Sequence, residues 1–168
     1  MRKLLYMLCL AIALSGCYET LDWREWHAED GSFTLMMPAK PRSFSREVLI
    51  GENKLILNML STESEGLAFG MAYANVPADA SFNLLKDARD ALVRNIAGRV
   101  SSEKLVEVGQ AKGLEFQAIG TSGETPMLMV ARILRDDRRF YQIVFVGRQD
   151  RAREVDIPFF LESFKPTQ

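Results

Sequence analysis

Residues 67–76 read LAFGMAYANV, and their alternation decides the fold. Leu67, Phe69, Met71 and Tyr73 point to one side of an extended chain, and Ala68, Gly70, Ala72 and Ala74 to the other, because successive side chains in a strand face opposite ways. A large apolar face beside a face of small residues predicts a strand inside a sheet, covered on both sides and closely approached on the small side. Two later segments, TPMLMVARIL (125–134) and RFYQIVFVG (139–147), are apolar on both faces as well and are expected mid-sheet. The polar turn RDDR between them makes the pair a hairpin.

Outward from these, GSFTLMMPAKP (31–41) reads as a brief strand stopped by Pro38 and Pro41. SFSREVLI and KLILNMLS flank a turn at Gly51, and VSSEKLVEV leads into GLEFQAIG. One helix is expected across ADASFNLLKDARDALVRNIAG (78–98), with Asp79 or Ser81 as N-cap and Gly98 as the stop. Its apolar stripe is Leu85, Ala88, Leu92 and Ile96, with Lys86/Asp90 and Asp90/Arg94 at i,i+4. The last segment, DRAREVDIPFFLESFKPTQ (150–168), reads as a second helix capped by Asp150 or Asp156, with Phe159, Phe160 and Phe164 turned inward. Hairpins imply antiparallel pairing, and sheet faces apolar on both sides imply two covers. The expected class is α+β, an α/β/α sandwich around a mainly antiparallel sheet with one long central helix and a C-terminal helix.

The chain begins MRKLLYMLCLAIALSGC. Arg2 and Lys3 precede an apolar run from Leu4 to Leu14, and small residues lead to Cys17. That order is the layout of an export signal, and the run is too short to span a bilayer. Leu14-Ser15-Gly16-Cys17 resembles the bacterial lipobox. The resemblance implies cleavage between Gly16 and Cys17, a diacylglyceryl group on the Cys17 sulfur and further acylation (palmitate or similar) of the new amino group. Residues 1–16 are then a removed signal peptide, 17–30 a lipidated tether with Trp23 and Trp26, and 31–168 one globular domain. Docking of the two Trp on the domain, or their seating at the headgroup level, are both open for the tether. Tyr18, where Asp would favour inner-membrane retention, points to the outer membrane, facing the periplasm.

Two of the 21 basic residues precede Cys17, so residues 17–168 carry 19 against 22 acidic ones, net −3. That balance gives no basic footprint for nucleic acid. Cys9 falls in the signal and Cys17 takes the lipid, which leaves the domain without a thiol for disulfide or metal. The one histidine, His27, lies in the tether with Glu25 and Asp30 near it in sequence, a pattern too common to mark a general base. Asp136 and Asp137 lack calcium-loop spacing, and no glycine-rich phosphate loop is present. Met36, Met37, Met59, Met71, Met127 and Met129 fall at strand positions and read as core filling in preference to a soft-metal site. No catalytic, metal or cofactor site is expected beyond the covalent lipid, and no enzymatic activity.

Seven arginines, Arg132, Arg135, Arg138, Arg139, Arg148, Arg151 and Arg153, crowd one segment against Asp136, Asp137 and Asp150. If the hairpin tip and the start of the last helix are neighbours, they form a patch for an anionic ligand or partner. The plainer reading is a set of solvated salt bridges. In layout, DGSFTLMMPAKP with its Phe-x-x-x-x-Pro spacing, the mid-chain helix, GLEFQAIG, RFYQIVFVG and FFLESF resemble the PsbP-like and DcrB-like fold group across residues 31–164. The resemblance implies an accessory or assembly factor that binds other proteins, with no shared catalytic site. The expected role is therefore a membrane-anchored binding module for an envelope protein or complex. The alternatives are an envelope hydrolase, or a carrier of a small ligand or lipid in a pocket between sheet and helix.

Overall fold

The computed structural model describes residues 21–64, 66–77 and 80–167. The leader, Gly16, Cys17 and the proposed cap Asp79 lie outside them. In chain order the strands are β1 (Arg24–His27), β2 (Phe33–Met37), β3 (Arg42–Ile50), β4 (Asn53–Ser64) and β5 (Leu67–Asn75), followed by helix α1 (Leu84–Asn95). Then come β6 (Arg99–Val108), β7 (Ala111–Ser122), β8 (Thr125–Arg135) and β9 (Arg139–Arg148), a 3₁₀ turn (Ala152–Glu154), helix α2 (Ile157–Glu162) and β10 (Lys165–Pro166).

Seven strands form one antiparallel sheet in the order β3-β4-β5-β9-β8-β7-β6. The two segments apolar on both faces take the centre, with β9 fourth and β8 fifth, and β5 beside β9 in the register Leu67↔Gly147 to Asn75↔Arg139. The two faces of β5 part as their sizes predict. Leu67, Phe69 and Met71 join a cluster with Phe33, Leu35, Phe145, Phe160 and Phe164, while Ala72 and Ala74 join the cluster beneath α1.

The covers differ from the expected pair of helices. On one face α1 buries Leu84, Ala88, Leu92 and Val93, so the stripe starts at Leu84 and the half-exposed Leu85 flanks it. Helix α1 touches both edge strands, β3 and β6, which means the sheet curls around it. The other face carries a second, three-stranded sheet, β1-β2-β10, together with the six-residue α2. The domain is α+β and mainly β. The short helix of the second cover opens with Pro158 in its first turn, where its missing N–H costs nothing. Asp156 caps that start by accepting from the Phe159 N–H at 3.0 Å, while Asp150 pairs with Arg148 instead. Beyond Glu162 the chain turns extended and pairs with β2 through Lys165↔Thr34.

The segment expected as tether also enters the fold. β1 pairs with β2 from Arg24↔Met37 to His27↔Thr34, so residues 21–30 belong to the folded unit. Trp23 packs edge-on against Phe69 at 5.5 Å and Phe159 at 5.3 Å, and Trp26 is half-buried against the same cluster. The aromatic edge-to-face pairs here favour this docking beyond their area alone.

The close of α1 departs from the glycine rule in an informative way. Ala97, at φ 44°, takes the left-handed position, and two bonds complete a Schellman motif: Ala97 N–H to Arg94 O at 3.0 Å and Gly98 N–H to Val93 O at 3.0 Å. Gly98 is required for space, since a Cβ there would meet Ile119 O at 2.8 Å. Ser81 accepts from the Asn83 N–H ahead of the helix, where the N-cap itself is Asn83. Asp90 pairs with Lys86 and Arg89, and Arg89 reaches across to Glu103 of β6 at 2.7 Å.

Two neighbouring substitutions should therefore act with opposite sign. Ala97→Gly removes left-handed strain of about 1–2 kcal/mol, less some unfolded-state entropy, and should raise the melting temperature. Gly98→Ala forces Ile119 away and should lower stability by about 1–3 kcal/mol. Thermal denaturation of both variants checks this, and a drop for Ala97→Gly would refute the reading of the cap.

Candidate functional site

The seven arginines do not gather. Arg135, Arg138 and Arg139 stand at the β8–β9 turn, while Arg148, Arg151 and Arg153 follow the opposite end of β9. Nine steps of strand at about 3.3 Å each lead from Arg139 to Arg148, so the two groups lie about 30 Å apart. The hairpin tip and the start of the last helix are thus not neighbours, and one continuous patch does not form. Among the described residues four of the seven hold an acid: Arg132 with Glu115, Arg139 with Asp30, Arg148 with Asp150 and Arg151 with Glu154.

Arg132 is the exception in kind, being buried at 8 % exposure. It lies on the β8 face that carries Val130 and Leu134, beneath α2. Its Nε and Nη2 donate to Glu115 Oε2 at 3.0 and 2.5 Å, and its Nη1 donates to the carbonyl of Leu161 at 3.0 Å. Lys104 reaches the other oxygen of Glu115 at 2.9 Å. Burial pushes the Glu115 carboxyl up, yet the hydrogen bonds and charges of Lys104 and Arg132 outweigh it and hold it below the usual glutamate range. The unpaired carbonyls at the end of α2 thereby find a donor inside the protein. In sequence Arg132 joins the other six arginines by proximity alone. Its neighbours in the chain, Val130, Ala131, Ile133 and Leu134, are the signal that was available, since an Arg within an apolar run is either paired or misplaced.

At the β8–β9 end, a cleft of about 620 Å³ opens between the β1–β2 turn, the β6–β7 turn and the C-terminal segment. Its walls include Asp30, Ser32, Gln110, Asp136, Arg139 and Tyr141. Asp30 accepts from Arg139 Nη1 at 2.6 Å and from the Ser32 N–H at 3.0 Å. Burial raises the Asp30 carboxyl, but the bonds from Ser32 and Arg139 prevail and hold it below its ordinary range. Asp136 accepts from the backbone N–H groups of Arg138 and Arg139 at 2.8 and 2.7 Å, which closes the turn. Tyr141 is pushed up to about 12 by burial and by the charge of Asp136, so its hydroxyl stays a neutral donor. Both shifts move away from neutrality, which suits polar contact and disfavours proton abstraction at physiological pH. The notable wall residues come from four separate segments, and no sequence spacing joins them.

His27 is exposed on β1 with Glu25 at 3.3 Å. Met37, Met71 and Met129 are buried in the core. On the far edge of the sheet, Leu49 and Ile56 are 72 % and 64 % exposed and are diagonal neighbours, since Leu49 pairs with Lys54. Leu49 belongs to β3, whose outer side has no strand partner among the described residues, and Ile56 to β4 next to it.

No protein-family model matches the chain. No curated protein matches it in sequence. Among solved structures, the solution structure of cyanobacterial PsbP (CyanoP) from Synechocystis sp. PCC 6803 is similar, with a TM-score of 0.56 over 90 % of this chain and 96 % of that one, at 9 % identity. The chain has a PsbP-like fold. An identity this low shows the fold alone, and the site residues stand on their own geometry.

Arg132→Met should cost about 2–4 kcal/mol, because removing one partner of a buried pair strands the other. Lys104 stays on Glu115 and keeps the figure below that of a fully orphaned charge. The pH dependence carries a sign. The folded-state pKa of Glu115 is depressed, so its contribution is present above the unfolded value near 4.3 and is lost as pH falls through the lower folded value. Acid unfolding of Arg132→Met should therefore show a shallower rise of stability across the range of about pH 3 to 5. An unchanged acid limb would show that the pair does not contribute.

Proposed function

We propose that this chain is a bacterial envelope lipoprotein, anchored through lipidated Cys17 at the periplasmic face of the outer membrane, and that its domain is a non-catalytic module that holds an envelope protein. The observation that carries this is Leu14-Ser15-Gly16-Cys17 at the end of an 11-residue apolar run, directly ahead of a domain whose first strand begins at Arg24. With two or three acyl chains on Cys17, each buried CH₂ contributes about 0.8 kcal/mol, enough for stable mooring. Tyr18 in the position after the lipidated residue favours the outer membrane.

The binding role is supported by the β3 edge. Leu49 and Ile56 expose apolar surface at an edge strand that no other described strand pairs with, the combination used when a partner adds to a sheet. The carrier alternative calls for space between sheet and helix, and that layer holds Leu55, Leu57, Leu84, Ala88, Phe116, Ile133 and Phe140 packed together. The hydrolase alternative calls for a free carboxylate in the cleft, whereas Asp30 is engaged by Arg139 and by the Ser32 N–H.

Cys17→Ser should leave the chain uncleaved or release it from the membrane fraction. Fractionation with membranes like the parent, with residues 1–16 removed, would refute the lipoprotein reading. In cells, a photo-crosslinker at Leu49 should capture one dominant envelope protein, and Ile56→Lys should abolish that product without altering the melting temperature. A crosslink pattern unaffected by Ile56→Lys would remove the β3 edge as the interface.

A further inference from the structure

The N-terminus of the folded unit emerges at one defined end of the domain. β1 runs from Arg24 beside Met37 to His27 beside Thr34, so Trp23 lies at the end opposite the β8–β9 turn. Its indole contacts Phe69, which sits near the Leu67↔Gly147 end of β5, and Phe159 in the first turn of α2. Phe159 remains 41 % exposed despite that contact, and Trp23 is half-exposed. At the same end the 3₁₀ turn presents Arg153, which is exposed and makes no ion pair among the described residues. With Arg148, Gln149, Thr125, Pro126 and Asp150 it lines a shallow hollow.

Six residue steps lead from Cys17 to Trp23, a reach of at most about 20 Å when fully extended. A lipid on Cys17 therefore holds this end, and not the polar cleft at the other, against the bilayer. An aromatic pair with one edge solvent-facing is the side-chain type that the headgroup region favours. The Arg153 guanidinium at the same end, without an ion pair among the described residues, matches phosphate in planar, forked geometry. Anchoring raises the local concentration so far that even a weak surface contact is populated.

We infer that the end of the domain formed by Trp23, Phe159 and Arg153 is a membrane-contact face, seated in the phospholipid headgroup layer of the bilayer that holds Cys17. The inference rests on the anchoring proposed above and fixes the orientation of the domain, with the 620 Å³ cleft and the β8–β9 turn directed away from the membrane.

The sequence supplies a clean test, because it contains two tryptophans and, from residue 17 onward, one cysteine. The described residues begin at Leu21, so a chain starting at Cys17 contains all of them. Its thiol is coupled to a maleimide phospholipid in phosphatidylcholine vesicles, with and without acyl-chain bromination. The coupling supplies the anchor whether or not a cell does, and the mass of the Cys17 peptide from cells tests lipidation separately. With Trp26→Phe, the sole Trp23 should be blue-shifted and should lose emission in the brominated vesicles. Phe159→Ser or Arg153→Glu in that background should reduce the loss. With Trp23→Phe, the sole Trp26 should be unaffected by bromination. Equal Trp23 emission in the two vesicle types, for protein that floats with them, would overturn the inference, and so would equal quenching of Trp23 and Trp26.

Discussion

A sheet whose central strands are apolar on both faces must be covered twice, and the whole molecule follows from meeting that constraint. β5, β8 and β9 each send large apolar side chains to the face that carries Phe33 and Phe160. The opposite faces of β5 and β8 place alanines, Ala72, Ala74 and Ala131, under α1. One face takes a helix, which packs where these alanines sit among larger side chains such as Phe116, Ile133 and Phe140. The other needs a cover that interdigitates with aromatic rings. The three-stranded sheet provides Phe33, Leu35 and Met37 for that, and α2 adds Phe160 and Leu161. Burying a side chain of this size contributes about 1.5–3 kcal/mol, so a bare face is not an option for a domain held without disulfides.

The second cover is made of short pieces, none of which would hold alone. A six-residue helix is far below the length that persists in water, and a two-residue strand pairs only because the chain around it is fixed. Arg132 explains how α2 keeps its place. Apolar contacts set the distance of a short helix but leave its rotation and register loosely defined. A guanidinium held by Glu115 and aimed at the Leu161 carbonyl defines both. Lys104 balances the carboxylate, so the buried charge is shared among three groups and stays tolerable.

The position of α2 in turn places Phe159 beside Trp23, and so joins the interior to the surface that carries the N-terminus. The domain is polar end to end in this sense. One end gathers the chain start, exposed aromatic edges and Arg153. The other gathers three turns and a hydrophilic cleft in which Asp30, Arg139, Asp136 and Tyr141 satisfy one another. A molecule moored at its first end would offer its flank, with Leu49 and Ile56, and its far end to other envelope components.

The periodicity of LAFGMAYANV, the doubly apolar β8 and β9 and the hairpin turns were legible in the chain because they are local: each depends on residues two apart or on a short turn. The central helix was legible for the same reason. What the sequence could not convey depends on contacts far apart in the chain. Arg132 is one basic residue among seven until Glu115 and Leu161 arrive from other elements. The arginine group looks continuous in sequence and is divided by the length of a strand. Residues 24–27 read as tether because a four-residue strand has no pattern of its own and exists only through pairing with β2. Ala97 stands where glycine is expected because the neighbouring position has the stricter demand, the approach of Ile119. By itself, then, the sequence determined the central strands with their amphipathic faces and the one long helix. Only the tertiary structure decided which charges are buried, which cover lies on which face and where a cleft opens, because those depend on distances between segments that no local pattern encodes.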